Sequence, residues 1–76
     1  MEKKRTIYIG KTIIRLREVK GIKQDELAFR SGITRKYMSN LENDKNSPTL
    51  DKLAAIAREL DMKTWELVKE AEDKKR

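Results

Sequence analysis

A chain of 76 residues with no cysteine and no histidine has to be held together by packing alone. Disulfide staples, zinc sites of Cys/His type, and every nucleophile or base mechanism that relies on thiol or imidazole are excluded. Only one core can form at this length, because two would each fall below the size at which burial offsets chain entropy. A hydrophobic content of 37% suffices for that core, while 42% charged residues and four aromatics leave no surplus for a buried cofactor pocket. No apolar run approaches the roughly 20 residues of a bilayer span, and Met1 to Arg5 is not followed by an unbroken signal-peptide core. The expectation is one cytoplasmic domain over residues 1–76, with a basic N-terminal arm at 1–6, a frayed tail at 74–76, and no cofactor or small-molecule ligand.

The net charge of +6 is unevenly spread. Residues 1–38 carry eleven basic and four acidic side chains, or +7; residues 39–76 carry eight and nine, or −1. A basic first half suits a polyanion and a near-neutral second half suits self-association, although a merely soluble basic protein satisfies the charge equally well.

Apolar spacing predicts an all-α chain of five short helices. Ile9, Ile13 and Leu16 recur at four- and three-residue spacing, which predicts a first helix over 7–20 that Gly21 ends in the left-handed conformation. A second, over 23–30, opens with Gln24 and the acids Asp25 and Glu26, which suit a positive helix N-terminus, and buries Leu27 and Ala28. Ser31-Gly32-Ile33 breaks it. Thr34 is an N-cap for a third helix reaching Asn43, and the run from Asn43 to Pro48 is dense in turn residues, with Asn or Asp at the positive-φ position. A fourth helix runs from about Thr49 to Leu60, or starts at Pro48 with Ser47 as its cap; its core stripe reads Leu50, Leu53, Ile56, Ala57 and Leu60. The fifth spans 64–73 and carries Trp65, Leu67, Val68 and Ala71. Sustained period-two alternation, Gly-rich phosphate loops and internal repeats are all missing from the sequence.

Two short helices joined at Ser31-Gly32-Ile33 have the form of a helix-turn-helix. Corners of this kind also serve plain packing, so the outward face of the third helix decides the matter. At 100° per residue, with Arg35 at zero, Ser39 falls at about 40°, Asn43 at about 80°, Lys36 at about 100° and Asn40 at about 140°. Tyr37, Leu41, Thr34, Met38 and Glu42 occupy the arc from about 200° to 340°. The first set offers the donors that base edges accept, Arg for guanine and Asn for adenine, and lacks the Glu or Asp that would balance an ordinary solvated face.

These residues and their order resemble the lambda-repressor-like, XRE-type family of phage repressors, Cro proteins and restriction-modification controller proteins. The resemblance rests on Ile9-Gly10, Arg17 before Gly21, the run from Gly21 to Ala28, Ser31-Gly32-Ile33, Tyr37-Met38-Ser39, Leu41-Glu42, Ser47-Pro48-Thr49-Leu50, and Leu53 through Leu60. It implies a compact five-helix domain whose second and third helices form the DNA-reading unit, in a regulator and not an enzyme. By the same resemblance Arg35, Lys36, Ser39 and Asn40 face bases. Gln24, Thr34, Tyr37, Asn43 and Lys45 lie along the sugar-phosphate edge, and Arg17 pairs with Glu42 as architecture. Tyr37 is equally at home in the core. Asp44 and Lys63 depart from the family pattern, replacing a usual glycine and a usual small cap.

One helix contacts too few base pairs to be selective, so the resemblance also implies a homodimer on a near-palindromic double-stranded operator, with half-sites roughly 34 Å apart. Met62, Trp65 and Val68 are the candidate interface, Trp65 being alternatively a lid on the small core. Regulation then follows protein concentration, by repression or autoregulatory control. Two rivals stand beside this reading: an antitoxin-type regulator whose main partner is a toxin protein, and a sequence-indifferent basic RNA-binding or scaffolding module.

Overall fold

The computed structural model describes residues 7–73, so the expected arm and tail lie outside the described residues. Five helices follow in order: α1 (Gly10–Val19), α2 (Gln24–Arg30), α3 (Arg35–Glu42), α4 (Leu50–Glu59) and α5 (Thr64–Asp73). Among the described residues there is no strand. α1 packs on α2, α3 and α5, while α4 bridges α2 and α5. Ile13, Leu27, Met38, Leu41, Ile56, Leu60 and Leu67 fill the centre, each less than 3% exposed. At about 1.5–3 kcal/mol per fully buried aliphatic side chain, these seven provide the main favourable term in a chain without covalent staples.

Four successive helices stop in the same way. The residue after each C-cap has a left-handed backbone: Gly21 (φ 71°), Gly32 (φ 72°), Asp44 (φ 58°) and Asp61 (φ 59°). In each case the next N–H reaches back to a carbonyl five residues earlier: Ile22 to Arg17, Ile33 to Ala28, Lys45 to Asn40 and Met62 to Ala57, at 2.8 to 3.0 Å. This paired-bond termination satisfies carbonyls that a helix end leaves open, and it turns Ile22, Ile33 and Met62 onto the core. Glycine takes the left-handed conformation freely. Aspartate does so at a cost, and both aspartates here offset it with their carboxylates. Asp44 Oδ1 accepts the Gly10 N–H at 3.0 Å, and Asp61 Oδ2 accepts from Lys20 Nζ at 2.8 Å.

The first of these contacts explains a shift from the sequence expectation. α1 begins at Gly10 and not near Ile7, because Ile9 is its N-cap without a side-chain bond of its own, and Asp44 caps the helix from the far end of α3. Gly10 also has to be glycine for room. A Cβ there would overlap the Glu42 carbonyl oxygen and lie 2.9 Å from that of Leu41. The positive end of α1 thus rests on the negative end of α3.

A second shift concerns α4. Thr49 is its cap, its Oγ1 accepting the Lys52 N–H at 3.2 Å, so the alternative start at Pro48 is not used. Leu50, expected in the core stripe, is 73% exposed. It occupies the first helical position, where the stripe has already run past the edge of the core, and it faces a groove beside Trp65 and Val68.

Candidate nucleic-acid interface

α3 presents its two faces as their chemistry requires. Met38, Leu41 and Glu42 are buried, while Arg35, Lys36 and Asn43 are exposed and Ser39 and Asn40 half-buried. The helix starts where Thr34 Oγ1 accepts the Tyr37 N–H at 3.0 Å, satisfying a donor that would otherwise lack a partner. It ends where Asn43 Nδ2 donates to the Ser39 carbonyl at 3.0 Å, so the Asn43 amide is held against its own helix. Lys45 is exposed just beyond.

The register of α3 is fixed by one carboxylate. Arg17 Nε donates to Glu42 Oε2 at 2.7 Å and Arg17 Nη2 donates to Glu42 Oε1 at 3.1 Å, the fork geometry that arginine offers a carboxylate. Arg17 Nη1 also donates to the Ile22 carbonyl at 3.1 Å, which ties the α1–α2 joint to the same group. The Glu42 side chain is only 3% exposed, and the hydrogen bond to it raises the Arg17 pKa further above its ordinary value. Gln24 Nε2 completes the cluster, donating to Glu42 Oε1 at 2.9 Å. The first residue of α2 and the last of α3 are thereby joined through Glu42, and the helix-turn-helix is closed across its open side. One Gln24 amide N–H is directed to that oxygen, and the second is left to another acceptor.

Charge pairing separates this surface from the rest. Arg15 pairs with Glu70, Lys20 with Asp61, Arg30 with Glu26, Arg58 with Glu59 and Lys69 with Asp73, in addition to Arg17 with Glu42. Among the described residues the cations without a carboxylate partner are Lys11, Lys23, Arg35, Lys36, Lys45, Lys52 and Lys63, and both cations of α3, with Lys45 just beyond it, are in this set. Paired charges cancel at a distance; unpaired ones set the field that a polyanion meets.

Of the two places open to Tyr37, the structure shows partial packing on the core. Its ring is half-buried against the core, and Lys52 Nζ lies over it at 5.5 Å from the centroid. Sequence reasoning passed over Lys52, because its contact with Tyr37 joins two helices and the spacing within either one does not report it. Of the expected interface residues, Met62 and Val68 are half-buried against the core. Trp65 is 61% exposed and does not act as a lid. Among the described residues no cluster of His, Cys, Asp or Glu could hold a metal, and no helix is long and apolar enough to cross a membrane.

A five-helix core carrying a clamped helix-turn-helix with a basic, unpaired outer face defines a DNA-binding regulator class, and comparison with known families agrees. Residues 13–67 match the helix-turn-helix family HTH_3, and the chain belongs to this XRE-type, lambda-repressor-like family of transcriptional regulators, which is not a family of enzymes. It is 38% identical over 60 residues to the uncharacterized HTH-type transcriptional regulator y4dJ of Sinorhizobium fredii (strain NBRC 101917 / NGR234), covering 79% of this chain and 78% of that one. In structure it is similar to the restriction-modification controller protein C.AhdI of Aeromonas hydrophila, with TM-score 0.76, 32% identity, and coverage of 82% of this chain and 94% of that one. It is also similar to SinR, the master regulator for biofilm formation, in complex with DNA, with TM-score 0.73, 30% identity, and coverage of 78% and 95%.

Proposed function

We propose that this chain is a sequence-specific regulator that binds double-stranded DNA as a homodimer on a near-palindromic operator, acting as a repressor or autoregulatory controller. The observation that carries the reading is the exposed, carboxylate-free face of α3, held in register by Glu42. Arg35, Lys36, Ser39 and Asn40 read base edges from the major groove. Gln24, Thr34, Tyr37, Asn43 and Lys45 contact the sugar-phosphate edge, where they set register and carry no sequence information. The groove of Leu50, Trp65 and Val68 receives a second copy, since large exposed apolar side chains gain most when a partner covers them. Two copies then offer two α3 helices to successive major-groove faces, and protein concentration sets how much of the operator is occupied.

Selection of bound fragments from random DNA tests this directly. The expected product is an imperfect palindrome, and Arg35→Ala then weakens binding to it by about 1–3 kcal/mol with a smaller effect on random duplex. Equal losses on both would remove Arg35 from base reading, and failure to enrich any sequence would overturn the proposal.

A further inference from the structure

Lys52 belongs to α4, outside the helix-turn-helix, and it is the one unpaired cation in the described structure with an aromatic ring beneath it. Other lysines with a local partner find it in a carboxylate: Lys20 in Asp61 and Lys69 in Asp73. An ammonium held by a ring is oriented without being neutralised, because the attraction comes from the ring's quadrupole and not from an opposite charge. The full positive charge therefore remains available to a further anion.

The ring is itself well placed to hold it. Tyr37 is packed partly into the core on one side, and its backbone N–H is fixed by Thr34 at the start of α3. Lys52 stands in the same position on α4, its N–H fixed by Thr49. The contact thus joins the first turns of the two helices and sets a cation beside the recognition helix, on the flank that Tyr37 marks and away from the Glu42 clamp.

We infer that Lys52 is an additional contact to a backbone phosphate of the bound duplex, with Tyr37 as the residue that positions it. This rests on the DNA-binding reading above and deepens it by extending the interface beyond the helix-turn-helix onto α4. A phosphate contact made by an ammonium carries no base information. It contributes equally on every sequence and releases condensed counterions, which lowers the magnitude of the salt slope by about 0.9 when it is lost.

The test is fluorescence anisotropy on a labelled random-sequence duplex, titrated between about 50 and 200 mM salt, with circular dichroism to confirm folding of each variant. Lys52→Ala and Lys52→Gln are expected to weaken binding several-fold at low salt and reduce the slope by about 0.9, while Lys52→Arg keeps it. Tyr37→Phe loses affinity through the missing hydroxyl but retains the slope, since it keeps the ring and removes no charge. Tyr37→Leu reduces the slope as Lys52→Ala does, and combining the two reduces it no further. A wild-type slope in Lys52→Ala, with Lys45→Ala still lowering it, would overturn the Lys52 contact and leave the DNA-binding reading standing. Absence of salt-dependent duplex binding by the wild-type protein would overturn both.

Discussion

Glu42 shows how much one side chain can organise in a molecule this small. Its carboxylate receives Arg17 and Gln24, and its carbonyl lies against Gly10, so three helices meet at a single residue. Arg17→Ala would strip the paired charge from a carboxylate that is almost fully buried, and the expected loss is about 3 kcal/mol in chemical denaturation. An unchanged midpoint would mean that water reaches Glu42 freely. Gly10→Ala is expected to cost about 1–3 kcal/mol, because the added methyl meets backbone oxygen and not a side chain that could turn aside. Arg17 and Glu42 were legible in the sequence through family resemblance, as was the polar arc of α3 through its angular spacing. The Gly10 contact and the Lys52–Tyr37 pair were not. Both are made between residues far apart in the chain, and helical periodicity says nothing about what a neighbouring element brings.

At the level of the helices, the existence of all five was legible because each stripe was bounded by a capping threonine, a glycine or a turn-rich run. Their ends were less so. The stripe that placed Leu50 in the core assumed that burial extends through the first turn of α4, whereas that turn overhangs the core's edge. Asp44, one of the two departures from the family pattern, shares its left-handed backbone with Asp61. The structure gives them different tasks, and hence different expected responses to glycine. Asp61→Gly relieves backbone strain and forfeits only an exposed pair with Lys20, so its melting temperature is expected to rise. Asp44→Gly relieves similar strain but uncaps α1, so it is expected to gain less or to lose stability. The Asp61 carboxyl is held below its ordinary pKa by the Lys20 hydrogen bond. Its pairing is complete above the unfolded aspartate value near about 3.9 and is lost as pH falls through the lower folded value. The advantage of Asp61→Gly should therefore widen in acid, which thermal melts across that pH window would show. Lys63, the other departure, is accommodated by Glu66, whose Oε1 accepts the Lys63 N–H at 2.8 Å.

For the whole molecule, Arg35, Lys36 and Lys45 carry unpaired charge on or just beyond α3, while the exposed apolar groups Leu50 and Trp65 line the groove of α5. One surface is chemically suited to a polyanion and another to a second copy. Trp65→Lys is expected to shift the chain toward monomer in sedimentation equilibrium and to abolish cooperative operator binding while sparing thermal stability, since Trp65 contributes little to the core. A variant that stays dimeric would move the interface elsewhere. A broader consequence follows from the way α3 is mounted. Everything that anchors it, from Met38 and Leu41 to the Glu42 clamp, lies on the arc turned away from Arg35, Lys36, Ser39 and Asn40. Substitutions along the outer arc can therefore accumulate with almost no penalty in folding, and under the proposed function lineages carrying this scaffold are free to acquire new target sites by changing a handful of letters that the protein's interior never reads.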